Sequence, residues 1–468
     1  MPFDSLPDDT RPAAPSGLRL LRAVRRDPLG TFVAMAEGRA VTEFRLAGQR
    51  IVLLNDAAAV RQVLQDNQAN YRKSAFYRFL RPLLGDGIFI AEGDAWLRQR
   101  RVLQPAFSGS MNYRGMAAHI VDAADDMLAR WDRHGDRPFD LVPEMMHLAL
   151  DALLRALFSR RIGPEAAELQ RALTATLRRA EERVWSPLPL PEAAVRLLHP
   201  EYREALAWLD DFAARLVAER RADPDAPADL LTGLIAAHGD APGRLLRDEI
   251  LSIIISGHET TALALSWAWY LLSEAPALER RMAGEVEAAL GGRAPTYEDL
   301  PRLGYPLAVF QEAARLYPPV WTLSRQAVAA DTLGGVALAP GDTVMVSPYV
   351  IHRNAAYWPN PEGFDPDRFD PAQAGRHRPA YLPFGGGPRV CLGNRLAMME
   401  APLVMARVAQ RFRLDLVPGQ HIDPEPMITL RPRNGVRVRL TPRSGLQPQQ
   451  GRDGSHAAPP AHTNHKKE

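Results

Sequence analysis

A single cysteine, Cys391, sits in the run Phe384-Gly385-Gly386-Gly387-Pro388-Arg389-Val390-Cys391-Leu392-Gly393, and this segment constrains the chain more than any other. A lone thiol cannot form an internal disulfide, so the fold must rest on a packed core rather than on a disulfide framework. Glycines on both sides of the cysteine let the backbone turn tightly and bring N–H groups close to the sulfur. A helical pattern follows at once, from about Asn394 to Phe412, which puts the sulfur near a positive helix end. These features are expected to lower the thiol pKa and favour the thiolate, the form that serves as nucleophile and metal ligand. The competing reading is a buried cysteine beside a glycine-rich turn, and the rest of the chain bears on the choice.

Composition narrows the class. The chain is 46% hydrophobic and 24% charged, as expected of a globular protein, and its formal charge of +2 gives no reason to expect nucleic acid binding. One cysteine fits a reducing, cytoplasmic compartment. Met1 to Pro15 is acidic and contains proline, without the basic-then-apolar order of a signal peptide or anchor. Ile250 to Leu272 is apolar enough to suggest a membrane span, but Gly257-His258-Glu259-Thr260-Thr261 falls inside it. A carboxylate near the midpoint of a span costs roughly 2.5 kcal/mol or more, so a helix buried through the middle of a globular protein explains the pattern better.

Val41 to Asn55 alternates and breaks at Gly48, which predicts a hairpin, and Ala57 to Asp66 predicts a short helix. From about Asp94 to Gly291 the pattern is helical, punctuated by Pro and Gly. The helix around Ile250 should run from near Arg244 to Pro276, on the order of 45 Å. A helix between Pro306 and Pro318 precedes β-like sequence from Leu323 to Ser347, and a second β-like segment runs from Met427 to Leu440. The expected organisation is a flexible segment over 1–18, one large mainly helical domain over 19–442, and a polar disordered tail over 443–468.

Phe384, Gly387, Arg389, Cys391 and Gly393 match the haem-binding loop of the cytochrome P450 family position for position, and Ala397 and Glu400 continue that pattern. The resemblance extends from about Phe32 to Leu440. It implies the cytochrome P450 fold: mainly α with small β-sheets, and haem b between the long central helix and the cysteine-loop helix. Cys391 would be the proximal thiolate ligand. Three further motifs lie in the family's order. Glu312-Ala313-Ala314-Arg315 resembles the family's buried pair, which Arg368 in Phe364-Asp365-Pro366-Asp367-Arg368-Phe369 would complete as a structural triad. As a bare i, i+3 pair it would be commonplace.

Ser256-Gly257-His258-Glu259-Thr260-Thr261 resembles the oxygen-activation site. There Gly257 would leave room at the iron, while Thr260 and Glu259 would deliver protons. Ser256 departs from the family's usual Ala or Gly and adds a hydroxyl. Polar residues bonding their own helix would give the same sequence pattern. Trp96-Leu97-Arg98-Gln99-Arg100 resembles the family's helix whose tryptophan and arginine reach a haem propionate. Arg389 and Arg325 would add propionate contacts, and His352 is a further candidate.

The resemblance places the substrate pocket at Tyr77 to Ile90, Arg183 to Leu190, Ile253 to Thr260, Val320 to Leu323 and Met427 to Thr429. Phe79, Phe89, Trp185, Ile253, Val320, Trp321 and Ile428 imply a lipophilic small molecule, a terpenoid, fatty acid or other secondary metabolite. Arg81 or Arg183 would hold a substrate carboxylate or else be solvated surface arginines. The implied activity is a monooxygenase inserting one atom of O2, run as a monomer without a membrane anchor. A separate ferredoxin and ferredoxin reductase would supply electrons, docking on Arg98, Arg101 and Arg395. A haem-thiolate isomerase or peroxygenase, a haem sensor and a haem-free interaction protein are the alternatives. Among the 12 histidines, His258 has no second ligand at metal spacing.

Overall fold

Leu245–Glu274 forms a 30-residue helix that runs through the interior, and the rest of the fold is arranged around it. The computed structural model describes residues 17–46, 48–108, 113–184, 186, 190–238, 244–372 and 378–443. Residues 1–16 and 444–468, which make up most of the expected flexible ends, and Trp185 lie outside the described residues. The central helix is apolar on nearly every side because helices cover it on nearly every side. Leu141–Phe158, Gly304–Leu316 and Asn394–Arg411 all pack against it. It stops where the sequence dictates: Ala275 precedes a proline and adopts a non-helical conformation, and Pro276 opens the next helix at its first turn. Among the described residues no helix is long and apolar enough to cross a membrane.

The helix Leu141–Phe158 is capped by Asp140, whose Oδ1 accepts Val142 N (3.1 Å) and also Val436 N (3.0 Å), tying this helix to the strand Arg437–Pro442. The expected hairpin forms as Val41–Leu46 and Gln49–Leu54, with Gly48 at φ +80° in its turn. It joins a five-stranded sheet in which Thr343–Val346 runs parallel to Gln49–Leu54, and Leu323–Ala327 and Tyr71–Lys73 follow antiparallel. The helix expected over 57–66 winds normally only through Arg61; Gln62–Asp66 widens into a π turn. That turn pushes the Leu64 carbonyl toward the cysteine loop.

Candidate active site

The cysteine loop is held by its own backbone. Cys391 N donates to Phe384 O (3.0 Å), and Gly385 and Gly387 take φ of +71° and +66°. A Cβ on Gly387 would stand 1.8 Å from Leu64 O, so both the conformation and the close approach require glycine there. Gly393 caps the helix Asn394–Arg411, and its N–H points at the sulfur. The expectation of a low thiol pKa needs correction. Burial pushes the Cys391 thiol up, and the Gly393 N–H and Arg100 only partly oppose it. Metal coordination takes the thiol in deprotonated form, so a bound iron would displace this proton.

The sulfur faces a cavity of about 430 Å³ between the cysteine loop and the central helix. Phe89, Ile253, Val320 and Ile428 line it, together with Leu80, Leu84, Ile88, Leu153, Leu157, Leu177 and Val184, which form an apolar upper chamber. Two expected pocket residues do not reach it. Trp321 turns the other way, while its chain neighbours Pro319, Val320, Thr322 and Leu323 face the cavity. The Trp321 ring stacks on Phe32 and its Nε1 donates to Met427 O (2.7 Å). Phe79 is buried beside the cavity, beneath the guanidinium of Arg183 (5.2 Å to the ring centroid). Arg183 is ion-paired with Glu192, and Arg81 is exposed and paired with Asp86 (2.5 Å). Neither arginine lines the cavity, so neither is placed to hold a substrate carboxylate, and Arg183 is mostly buried rather than solvated.

One end of the cavity is cationic. Lys73, Arg100, Arg325 and Arg389 all line it, and Trp96 stands among them with the Arg389 guanidinium 4.4 Å from its ring. Arg389 donates to Ala91 O (3.1 Å) and Glu92 Oε2 (3.0 Å); Arg100 donates to Val390 O (2.9 Å) and Gln104 Oε1 (2.8 Å). Lys73, absent from the sequence reading, donates to Phe89 O. Burial, then Arg389, depress its pKa to about 7, with Glu92 opposing. Among the described residues Glu92 is the only carboxylate engaged by this cluster, so the set suits a ligand carrying two negative charges and an otherwise apolar body. The two propionates and the flat macrocycle of haem match that demand, and the one thiol in the chain stands at the other side of the same space.

His352 is not at this end, which corrects its assignment as a propionate contact. It is fully buried, its Nδ1 lies 3.0 Å from Arg315 O, and its Nε2 accepts Leu382 N (2.8 Å). Burial drives its pKa down to about 3, so the ring is a neutral acceptor. It links two parts of the site. On one side, the wholly buried Glu312 carboxylate accepts Arg315 Nε and Nη2 (both 2.7 Å), Arg368 Nε (3.3 Å) and Asp365 N (3.0 Å). Arg315 adds bonds to the carbonyls of His352, Pro361 and Gly363. On the other side, Leu382 O accepts Gly385 N at the start of the cysteine loop.

Across the cavity, the middle of the central helix presents Ser256, Gly257, Glu259 and Thr260. Thr260 Oγ1 donates to Ser256 O (2.9 Å), and Ser256 Oγ donates to Ser252 O (2.5 Å). A Cβ at Gly257 would lie 2.8 Å from Leu153 Cδ1, so the space the glycine leaves is taken by that leucine. Glu259 is buried, and its Oε1 accepts Thr429 Oγ1 (2.6 Å), Arg431 Nε (2.8 Å) and Arg431 Nη2. The sequence reading did not foresee Arg431 here. His258 turns into its own helix, with Nδ1 2.7 Å from Ile254 O. On the outer face beyond the cysteine loop, Arg98, Arg101 and Arg395 are all exposed. Leu97 and Val102, 38% and 37% exposed, lie beside the first two.

The family model for cytochrome P450 matches residues 20–438. The chain belongs to the cytochrome P450 family. Cytochrome P450 132 of Mycobacterium tuberculosis is 36% identical over 423 residues, covering 87% of this chain and 91% of the relative. Cyclooctatin synthase of Streptomyces melanosporofaciens is 35% identical over 433 residues, covering 89% and 93%. Pentalenene oxygenase of Streptomyces avermitilis is 31% identical over 394 residues, covering 82% and 86%. The protein is therefore a cytochrome P450 monooxygenase that carries haem ligated by a cysteine thiolate. Cys391 is the only cysteine it has.

Proposed function

We propose that this P450 inserts one oxygen atom from O2 into a lipophilic, uncharged terpenoid, with electrons from a separate ferredoxin-type donor. The observation that carries the substrate class is the division of the cavity. Its cationic groups cluster at the propionate end, Glu259 is paired with Arg431, and the upper chamber is apolar. Among the described residues a fatty-acid carboxylate would find no free cation in that chamber and would be desolvated without a partner. The relatives named for cyclooctatin and pentalenene chemistry support a polycyclic terpenoid.

Haem, when bound, supplies the iron that activates O2 and the electron push of the thiolate toward O–O cleavage. The chain's residues do the rest. Cys391 is the iron ligand; Phe384, Gly387 and Gly393 shape its loop, and Trp96, Arg100, Arg325, Arg389 and Lys73 hold the propionates. Glu312, Arg315 and Arg368 brace the segment behind the loop. Thr260 offers its hydroxyl to the cavity, Glu259 is the acid beside it, and Gly257 admits Leu153 as a wall of the chamber. Phe89, Ile253, Val320 and Ile428 orient the substrate. Arg98, Arg101 and Arg395, with Leu97 and Val102, form the electron donor's docking face.

The first test is the carbon monoxide difference spectrum of the reduced protein, where a strongly red-shifted Soret band is expected and its absence overturns thiolate ligation. Titration with polycyclic terpenoids and with fatty acids should then give spectral shifts for the former; tighter binding of fatty acids overturns the substrate class. Thr260→Ala should keep the haem band and the substrate shift while diverting electrons to hydrogen peroxide. Unchanged product per NADPH would exclude the role given to Thr260.

A further inference from the structure

The central helix carries a polar stripe that extends beyond Thr260 and Ser256 of the active site, through Ser252 to Glu249. Glu249, Ser252, Ser256 and Thr260 follow at i, i+3, i+7 and i+11, so successive members are neighbours on the helix surface, about 5–6 Å apart. Glu249 is 1% exposed and Ser252 fully buried. Glu249 Oε2 accepts Ile88 N (3.1 Å), but among the described residues its Oε1 has no partner, and neither has Ser252 Oγ. A third orphan, Gln99 Oε1, belongs to a side chain whose Nε2 donates to Asp86 O (2.8 Å), on the same 86–88 segment. Gly87 makes this arrangement possible, since a Cβ there would lie 2.4 Å from Ser252 Oγ. Orphaned buried polar atoms on successive turns of one helix and on the segment packed against it are the groups that bridging waters would satisfy. One end of the path reaches the exposed Asp86, and the other reaches the cavity, which Ser252, Ser256 and Thr260 line.

We infer that Glu249 is a second internal acid of this enzyme, passing protons through Ser252 and Ser256 to Thr260 from the side opposite Glu259. The inference rests on the monooxygenase reading, whose stoichiometry takes up two protons and two electrons for each O2 cleaved. Glu249 gives its proton to a bridging water at Ser252, the hydroxyls rotate to pass it on, and the carboxylate is reprotonated from solvent at the 86–88 segment. No electrons move in this step. Glu249 is a positioning residue for protons; Thr260 makes the final transfer. Burial holds its carboxyl at about 7, opposed by the Ile88 N–H and reinforced by Asp248. Asp248 is itself bonded by Arg247 (2.9 Å) and by Asp86 N (3.0 Å); Gln99, facing from the Gly93–Leu103 helix, is neutral. The acid is thus in its donating form below about pH 7 and exhausted above it.

The experiment uses the haem-loaded full chain with a surrogate ferredoxin and reductase and pentalenene as probe. Glu249→Gln keeps an acceptor for Ile88 N and removes the proton; Ser256→Ala interrupts the path elsewhere. Each should lower product per NADPH by roughly threefold to tenfold, with peroxide rising to match, short of the about 100-fold of an acid in direct contact. Glu249→Gln should also abolish the fall in coupling as pH rises through about 7, and remove a protonated-carboxyl infrared band that titrates there. Either variant coupling like its parent, with the red-shifted carbon monoxide band intact, overturns the relay. If Glu249→Gln does not fold, Ser256→Ala decides alone. A parent protein without that band overturns the monooxygenase reading instead, so the two failures are distinct.

Discussion

Replacing Glu312 by alanine removes one carboxylate and strands two cations. Glu312 and Arg315 are both wholly inaccessible to solvent, and Arg368 nearly so. Four donors lose their acceptor: Arg315 Nε and Nη2, Arg368 Nε and Asp365 N. Breaking a buried pair from one side costs about 3–5 kcal/mol, because the remaining charge has no counter-ion and no water. Arg315 keeps three backbone carbonyls, from His352, Pro361 and Gly363, which favours the lower part of that range. About 3 kcal/mol is still a large fraction of the 5–15 kcal/mol that separates folded from unfolded proteins. The loss should concentrate where the network leads, through His352 to Leu382 and the cysteine loop. Urea titration followed in parallel by the carbon monoxide band and by far-ultraviolet circular dichroism should show the band lost first, with its midpoint lowered by about 1 M. Glu312→Gln, which keeps a carbonyl acceptor, should fall between the two. A Glu312→Ala protein with full haem and an unmoved midpoint would refute the idea that this network braces the loop.

The other expectations are more local. Gly387→Ala should yield haem-free protein, because its Cβ would overlap Leu64 O, whereas Gly393→Ala, whose Cβ would sit 4.0 Å from the sulfur, should retain haem; pigment content after purification compares them. His352 titrates at about 3 in the fold against an ordinary value near 6.5, so the fold binds fewer protons than the unfolded chain between these values. Its contribution to stability is therefore complete above about pH 6.5 and fades as pH falls toward 3, by at most about 1.4 kcal/mol per pH unit, and His352→Gln should flatten that acid limb in denaturation experiments. Arg98→Glu with Arg101→Glu should raise the KM for the electron donor severalfold at low salt and leave the haem band intact. The defect should shrink as ionic strength shortens the Debye length below about 8 Å, and a defect independent of salt would argue against charge-guided docking there.

The features legible in the sequence are those in which chemistry and local backbone coincide. A glycine-flanked cysteine before a helix, a Glu and Arg one turn apart, and a polar group inside a long apolar run each keep their meaning without tertiary information. Facing direction was less accessible. Val320 and Trp321 are adjacent and both apolar, yet Val320 faces the cavity and Trp321 packs on Phe32, and only the packing shows which is which. Long-range partners left no local signal. Lys73 sits on a short edge strand far in sequence from Arg389, and Arg431 meets Glu259 from 172 residues away. The His352 assignment failed for a related reason: the sequence does not distinguish a ring facing the cavity from one facing the buried arginine behind it.

A helix this apolar tolerates so many hydroxyls because most of them bond back into it. Ser256, Thr260, Thr261 and Ser266 each donate to the carbonyl four residues earlier, and the His258 ring bonds Ile254 O in the same way. Such bonds meet the polar groups without outside partners, so the helix can stay buried and still display hydroxyls to the cavity. Self-bonding and a role in proton delivery had looked like competing readings of the Ser256–Thr261 segment. They are compatible, because a hydroxyl that donates backward to its helix keeps its lone pairs free to accept a proton from ahead. The groups that cannot be satisfied this way are the carboxylates. Glu259 takes Arg431 and Thr429 from the Leu430–Pro432 strand region, whereas Glu249 has one backbone N–H and one open oxygen. This asymmetry leaves Glu259 locked in a salt bridge and Glu249 free to exchange its proton, at opposite ends of the same hydroxyl stripe.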